Sequence, residues 1–237
     1  MFDLITKVIN DKQTYYAYAE IEDRRKGFLH SSKIIEVIDL GAGLKTLSNS
    51  KRKISDIAAR SLKRPKYAQL LFRLVNYFQP ETILELGTSL GITTIYLASA
   101  NKTTKVVTIE GSATIANEAQ ELFKRAGIKN IESVVGNFDE VLGKTIYSSL
   151  ALRPLSLIYF DGNHRKEPTL NYFQQCLKYS HNNSIYIFDD IHWSAEMEQA
   201  WEEIKKHPQI TVTIDLFEIG IVFFRTELTK QNFVVRY

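Results

Sequence analysis

From Glu81 to the C-terminus, short apolar or β-branched runs alternate with amphipathic stretches, the pattern of strands feeding helices in a largely parallel sheet. TILEL (82–86), KVVTIE (105–110), NIESVV (130–135), LSLIYF (155–160) and SIYIFD (184–189) are apolar on both faces, which predicts buried strands. QITVTID (209–215) and EIGIVFF (218–224) are too close together for a crossover helix, so they are expected to pair antiparallel. Helices are predicted over 91–100, over 112–127 with Ser112 as N-cap and Gly127 at the C-terminus, over 168–180, and over 194–206 behind Ser194. Trp193, Met197 and Trp201 recur every four residues and are expected on one packed face. Residues 54–64 and 66–78 have helical periodicity and are split by Pro65. Residues 30–46 hold a strand-like run ending in Asp39-Leu40-Gly41-Ala42-Gly43. The expectation is an α/β protein with a doubly wound, mostly parallel seven-stranded sheet and an antiparallel last strand over 81–237, preceded by a mainly helical cap over 1–80.

With 237 residues, 44% of them apolar, the chain can bury a full core, which excludes a disordered protein. The net charge of +3 is too small to imply a polyanionic partner. The basic excess is N-terminal: residues 1–80 hold 15 Lys/Arg against 8 Asp/Glu. The run from Lys51 to Lys66 is read as a solvated face, and no nucleic-acid binding is expected. A single cysteine, Cys176, rules out an intramolecular disulfide and a thiolate-rich zinc site. No stretch reads as a signal peptide or a membrane span, and a cytoplasmic location is expected.

Two stretches place an acid and glycines after an apolar run, IIEVIDLGAG (34–43) and ILELGTSLGITT (83–94). Only the second is followed by a helix and then a strand ending in an acid, Glu110, so Gly41 and Gly43 are read as turn glycines. Gly87 would let the chain turn sharply off its strand, Gly91 would admit a ligand close to the helix start, and Glu110 would accept from ribose hydroxyls. Thr88 and Ser89 stand where a pyrophosphate-binding glycine belongs, so the spacing E-x-G-x-x-x-G argues for a nucleoside ligand without phosphates.

The run ILELGTSLGITTIYLA resembles the first motif of class I S-adenosylmethionine methyltransferases, which have a Rossmann-like fold, and in particular the O-methyltransferases related to catechol O-methyltransferase. The resemblance covers roughly residues 81–224. It implies that Glu85, Gly87, Thr88 and Gly91 surround the methionine end of the cofactor, that Glu110 holds the ribose, and that Gly136, Asn137 and Phe138 flank the adenine. An acid is commoner than asparagine at position 137.

Ligands of open α/β sheets sit beyond the carboxyl ends of the strands. There the fourth of these strands runs into Asp161-Gly162-Asn163-His164 and the fifth into Asp189-Asp190-Ile191-His192-Trp193. Carboxylates and imidazoles gathered on one rim offer oxygen ligands for Mg²⁺ or a similar cation, and bases active near neutral pH. The resemblance implies a divalent-ion site at Asp161, Asp189 and Asp190, with Asp161 also beside the cofactor. Two departures stand out: Asp190 replaces an asparagine and His164 a lysine, which brings the chain closer to sugar- and macrolide-directed relatives. Asp161 and His164 are the expected catalytic residues, with His164 the base. The reading is a methyltransferase acting on a hydroxylated small molecule, and a homodimer is compatible with it. The alternatives are a nucleic-acid methyltransferase, disfavoured by the lack of a D-P-P-Y type motif, and a module that binds the cofactor without turnover.

Overall fold

A computed structural model describes residues 2–38, 49–150 and 155–237. In chain order come α1 (Phe2–Leu4), which runs into a π-helical turn (Ile5–Ile9), then α2 (Tyr18–Leu29), β1 (Ile34–Ile38), β2 (Asn49–Lys53), α3 (Ile54–Ser61), α4 (Pro65–Phe78), β3 (Thr82–Leu86) and α5 (Ile92–Ala100). There follow β4 (Lys105–Glu110), α6 (Ala113–Arg125), β5 (Ile131–Val135), α7 (Phe138–Leu150), β6 (Leu157–Phe160) and α8 (Lys166–Leu177). The chain ends with β7 (Ile185–Asp189), α9 (Ala195–Lys206), β8 (Val212–Asp215), β9 (Ile219–Phe223) and β10 (Gln231–Val234). These elements form two compact units, 1–80 with 88–137, and 81–87 with 138–237.

In the first unit β4 and β5 pair in parallel, from Val106 beside Ile131 to Glu110 beside Val135. Expected to be buried, β5 is instead an edge strand that is half-exposed along most of its length. Helix α6 starts where the Ser112 hydroxyl accepts the Ile115 N–H and is followed by Gly127 at φ +66°. Its apolar residues Ala116, Ala119, Leu122 and Phe123 fall at helical spacing and are buried. They join Ile92, Ile95 and Tyr96 of α5, Phe72 of α4 and Tyr18 of α2 in one core. Within it Tyr18 meets the Phe72 ring at 5.3 Å and 78°, and the Tyr96 ring at 5.7 Å and 67°, both edge-on.

The first 80 residues are not all helical, because β1 and β2 form an antiparallel hairpin from Ile34 beside Lys53 to Ile38 beside Asn49. Ile35 and Val37 of β1 are buried, whereas Lys51, Arg52 and Lys53 of β2 face solvent. Strand β2 carries no apolar alternation of its own; pairing with β1 makes it a strand. Gly41 and Gly43 lie outside the described residues.

In the second unit the strand order is β10-β8-β9-β7-β6-β3. Strands β3, β6 and β7 are parallel, β9 runs antiparallel between β7 and β8, and β10 adds in parallel to β8. Strand β10 is largely exposed, so nothing in its own pattern announced it. Helix α9, N-capped by Ser194, buries Met197 and Trp201. The Trp201 indole lies so close over Gly220 that a Cβ there would stand 2.6 Å from the ring. Trp193 departs from the expected packed face: it precedes the helix and is 75% exposed.

Pairing of β3 with β6 continues past both strand ends, since the Asp161 N–H donates to the Leu86 carbonyl at 2.8 Å. Gly87 comes next at φ +108°, and a Cβ on it would lie 2.0 Å from the Asp161 carbonyl oxygen. Both the backbone angle and the space therefore demand glycine. Gly87→Ala should cost about 2–5 kcal/mol from strain and overpacking, lowering the melting temperature by roughly 5–15 °C. A melt indistinguishable from wild type would contradict this account.

Candidate functional site

The first unit supplies a fixed carboxylate. Glu110 ends β4; its Oε2 accepts the Ser89 N–H at 2.9 Å and its Oε1 accepts the Ser112 N–H at 3.0 Å. Ser89 is a non-glycine residue at φ +47°, a conformation that needs outside support. Part of that support comes from Ser61 of α3, whose hydroxyl lies 2.7 Å from that of Ser89. Because the Ser61 hydroxyl donates to the Ile57 carbonyl at 2.8 Å, Ser89 is the donor in the serine pair. Thr88 is 2% exposed and its hydroxyl pairs with that of Thr108, so this side chain braces the loop from within. The Gly91 N–H closes the turn onto the Thr88 carbonyl at 2.9 Å. Gly91 has φ +80°, and a Cβ there would stand 2.6 Å from the Phe123 ring, so packing against α6 already requires this glycine. The Gly136 N–H donates to the Glu110 carbonyl at 2.9 Å, which ties the start of the Gly136-Asn137 segment to the end of β4.

The second unit gathers acids at the carboxyl ends of β3, β6 and β7. Glu85 is fully buried in register with Tyr159, and Asp189 is 1% exposed. The buried Tyr159 phenol is pushed well above its ordinary range, first by burial and then by the charges of Asp161, Asp189 and Glu85, so it stays protonated. His164 lies between two carboxylates, with Nε2 3.6 Å from Asp161 and Nδ1 3.7 Å from Asp190. Asp190 is left-handed at φ +54°. Among the described residues no three His, Cys, Asp or Glu side chains are grouped to hold a metal ion. Of the expected trio of Asp161, Asp189 and Asp190, the Asp189 side chain is buried and an imidazole stands between the other two. Phe138, expected beside adenine, packs its ring onto Gly162, where a Cβ would stand 2.5 Å away, and meets the Tyr172 ring edge-on at 5.6 Å.

Residues 84–191 match a family described as a methyltransferase domain. Over 128 residues the chain is 30% identical to a catechol O-methyltransferase of Niastella koreensis, covering 53% of this chain and 55% of that protein. A catechol O-methyltransferase of Mycobacterium tuberculosis is 30% identical over 125 residues, 52% of this chain and 54% of the relative. The chain thus spans about half the length of the curated relatives it matches. An O-methyltransferase from Bacillus cereus, solved in complex with S-adenosylhomocysteine, superposes with a TM-score of 0.64 at 19% identity over 93% of this chain and 96% of that one. The chain is thus similar to S-adenosylmethionine-dependent O-methyltransferases, and its residues 84–191 match a methyltransferase domain. Its fold is the α/β Rossmann-like one of these solved structures, a mixed, mostly parallel sheet with antiparallel strands near the C-terminus. Among the described residues no helix is long and apolar enough to cross a membrane.

The structure adds residues that motif reading passed over. Tyr159 shares a strand face with Asp161 two positions on, a period that could have flagged it. Ser61, by contrast, has no local signature and reaches Ser89 only through the fold. His192 bonds Asp215 at 2.9 Å and Glu198 at 3.3 Å, and stacks on Phe217 at 5.5 Å. Burial alone would lower its pKa, but the two carboxylates together outweigh it and the net shift is upward. A raised folded-state value stabilises the protein below the unfolded pKa, and that contribution is lost as pH rises through the folded one. His192→Gln should therefore destabilise more at pH ~5.5 than at pH ~8.5. Melts across that range check this, and an equal loss at both ends would refute it.

Proposed function

We propose that the chain transfers the methyl group of S-adenosylmethionine to a hydroxyl oxygen of a small molecule. The observation that carries this reading is the Glu110 carboxylate held by the Ser89 and Ser112 amides. A carboxylate at a strand end is an acceptor of the kind that ribose hydroxyls need. The glycine loop beside it has no pyrophosphate-binding spacing, which favours a nucleoside bearing a sulfonium over a dinucleotide. In this reading Glu85, Gly87, Thr88 and Gly91 shape the methionine end, Thr88 and Gly91 by keeping the loop rigid, while Gly136, Asn137 and Phe138 serve the adenine end.

When bound, S-adenosylmethionine supplies an electrophilic methyl carbon. The acceptor oxygen forms the new C–O bond as the C–S bond breaks, and its proton passes to an imidazole nitrogen of His164. Asp161 and Asp190 lie where their charges face the cation that His164 becomes on taking that proton. Tyr159, which keeps its own proton, is buried near Asp189 and Glu85. No step of this reading is routed through a divalent cation.

Catechol and S-adenosylmethionine are the probes, with S-adenosylhomocysteine formation as the readout. His164→Ala should lower kcat by roughly 10²–10⁴-fold, and turnover should survive EDTA. Glu110→Ala should weaken S-adenosylhomocysteine binding by roughly 10–100-fold, as expected for loss of hydrogen bonds to a charged group. Thermal stabilisation by NAD and none by S-adenosylhomocysteine would overturn the reading.

A further inference from the structure

Asn163 sits between the two residues expected to do the chemistry, and its backbone is unusual. It is left-handed at φ +68°, a region that asparagine tolerates better than other side-chain-bearing residues but still enters at a cost. Two contacts hold it there. Its Nδ2 donates to the Tyr172 hydroxyl at 3.0 Å, and the preceding Gly162 is closed in by the Phe138 ring and the Leu86 carbonyl. Tyr172, on α8, is 2% exposed, and its ring packs edge-on against Phe138. Its phenol is pushed up to about 12, by burial first; the Asn163 amide opposes this and the Asp139 carboxylate, accepting from the hydroxyl, reinforces it. The hydroxyl thus keeps its proton for Asp139 while its oxygen accepts from Asn163.

His164 follows directly. A change at Asn163 from left-handed to extended or right-handed backbone would swing the chain at the next residue, and the ring would leave its place 3.6 Å from Asp161 and 3.7 Å from Asp190. We propose that Tyr172 is a positioning residue for His164: together with Asp139 it holds Asn163 left-handed and so sets the imidazole between the two carboxylates. This deepens the proposed function and rests on His164 being the base.

The test is Tyr172→Phe in the full chain, which keeps the ring packing and removes only the hydroxyl, alone and combined with Asn163→Gly. Glycine adopts the left-handed conformation without side-chain support. Amide hydrogen exchange of residues 161–165 should quicken about tenfold in Tyr172→Phe, the gain expected when roughly one hydrogen bond is lost. With catechol and S-adenosylmethionine, kcat should fall by about tenfold or more, while S-adenosylhomocysteine affinity stays within about twofold. In the double variant kcat should return to within about fivefold of wild type, because glycine needs no hydroxyl to hold the turn. Unchanged exchange in the single variant would overturn the proposal. So would a lower melting temperature with wild-type kcat, or a double variant as slow as the single one. The exchange measurement needs no turnover, so it decides the role of Tyr172 even for a chain that binds no S-adenosylhomocysteine and thereby fails the proposed function.

Discussion

The close approach of two backbones at Gly87 is the constraint on which the acidic end of the second unit depends. Strand β3 stays hydrogen-bonded to β6 through the Asp161 N–H, and the next residue turns away with no room for a Cβ against the Asp161 carbonyl. Both strands can therefore remain paired to their last residue, which fixes the height at which Asp161 leaves the sheet. Every residue of the following turn inherits that placement: Gly162 under the Phe138 ring, Asn163 in its left-handed conformation, and His164 beyond it. A side chain at position 87 would act on the chemistry through backbone geometry, with no contact to any ligand required.

Charge at this rim is arranged in depth. Glu85 and Asp189 are buried beside the Tyr159 phenol, whereas Asp161, His164 and Asp190 are partly exposed. The imidazole stands between the two outer carboxylates. In the resemblance read from the sequence, an asparagine and a lysine occupy the positions of Asp190 and His164. Those two replacements, read in the sequence as departures, prove to be partners in one contact.

The first unit solves a different problem, that of keeping a non-glycine residue in a strained turn. Ser89 is held by the Glu110 carboxylate through its amide and by Ser61 through its hydroxyl. Helix α3 therefore supports the loop beside Glu110, and the aromatic core of Tyr18, Phe72 and Tyr96 joins α2, α4 and α5 behind it. The N-terminal residues are thus part of the scaffold of the Glu110 carboxylate.

Local sequence carried a great deal. Runs such as TILEL and SIYIFD are apolar on both faces and had few alternatives to buried strands, and Ser112 and Ser194 marked helix starts because a hydroxyl before an amphipathic stretch satisfies amides that the helix leaves open. Glu110 at a strand end and the acids after β6 and β7 were visible for the same reason: their positions follow from the strand boundaries. Residues whose roles come from distant partners left no such trace. NSKRK becomes a strand only because β1 lies beside it, and QNFV only because β8 offers an open edge. Ser61 is 28 residues from Ser89, and Tyr172 looks like any core residue of a helix until Asn163 and Asp139 are seen against it. Periodicity reports which face of an element is apolar, a property of near neighbours along the chain; which hydroxyl meets which turn depends on how those elements pack in space.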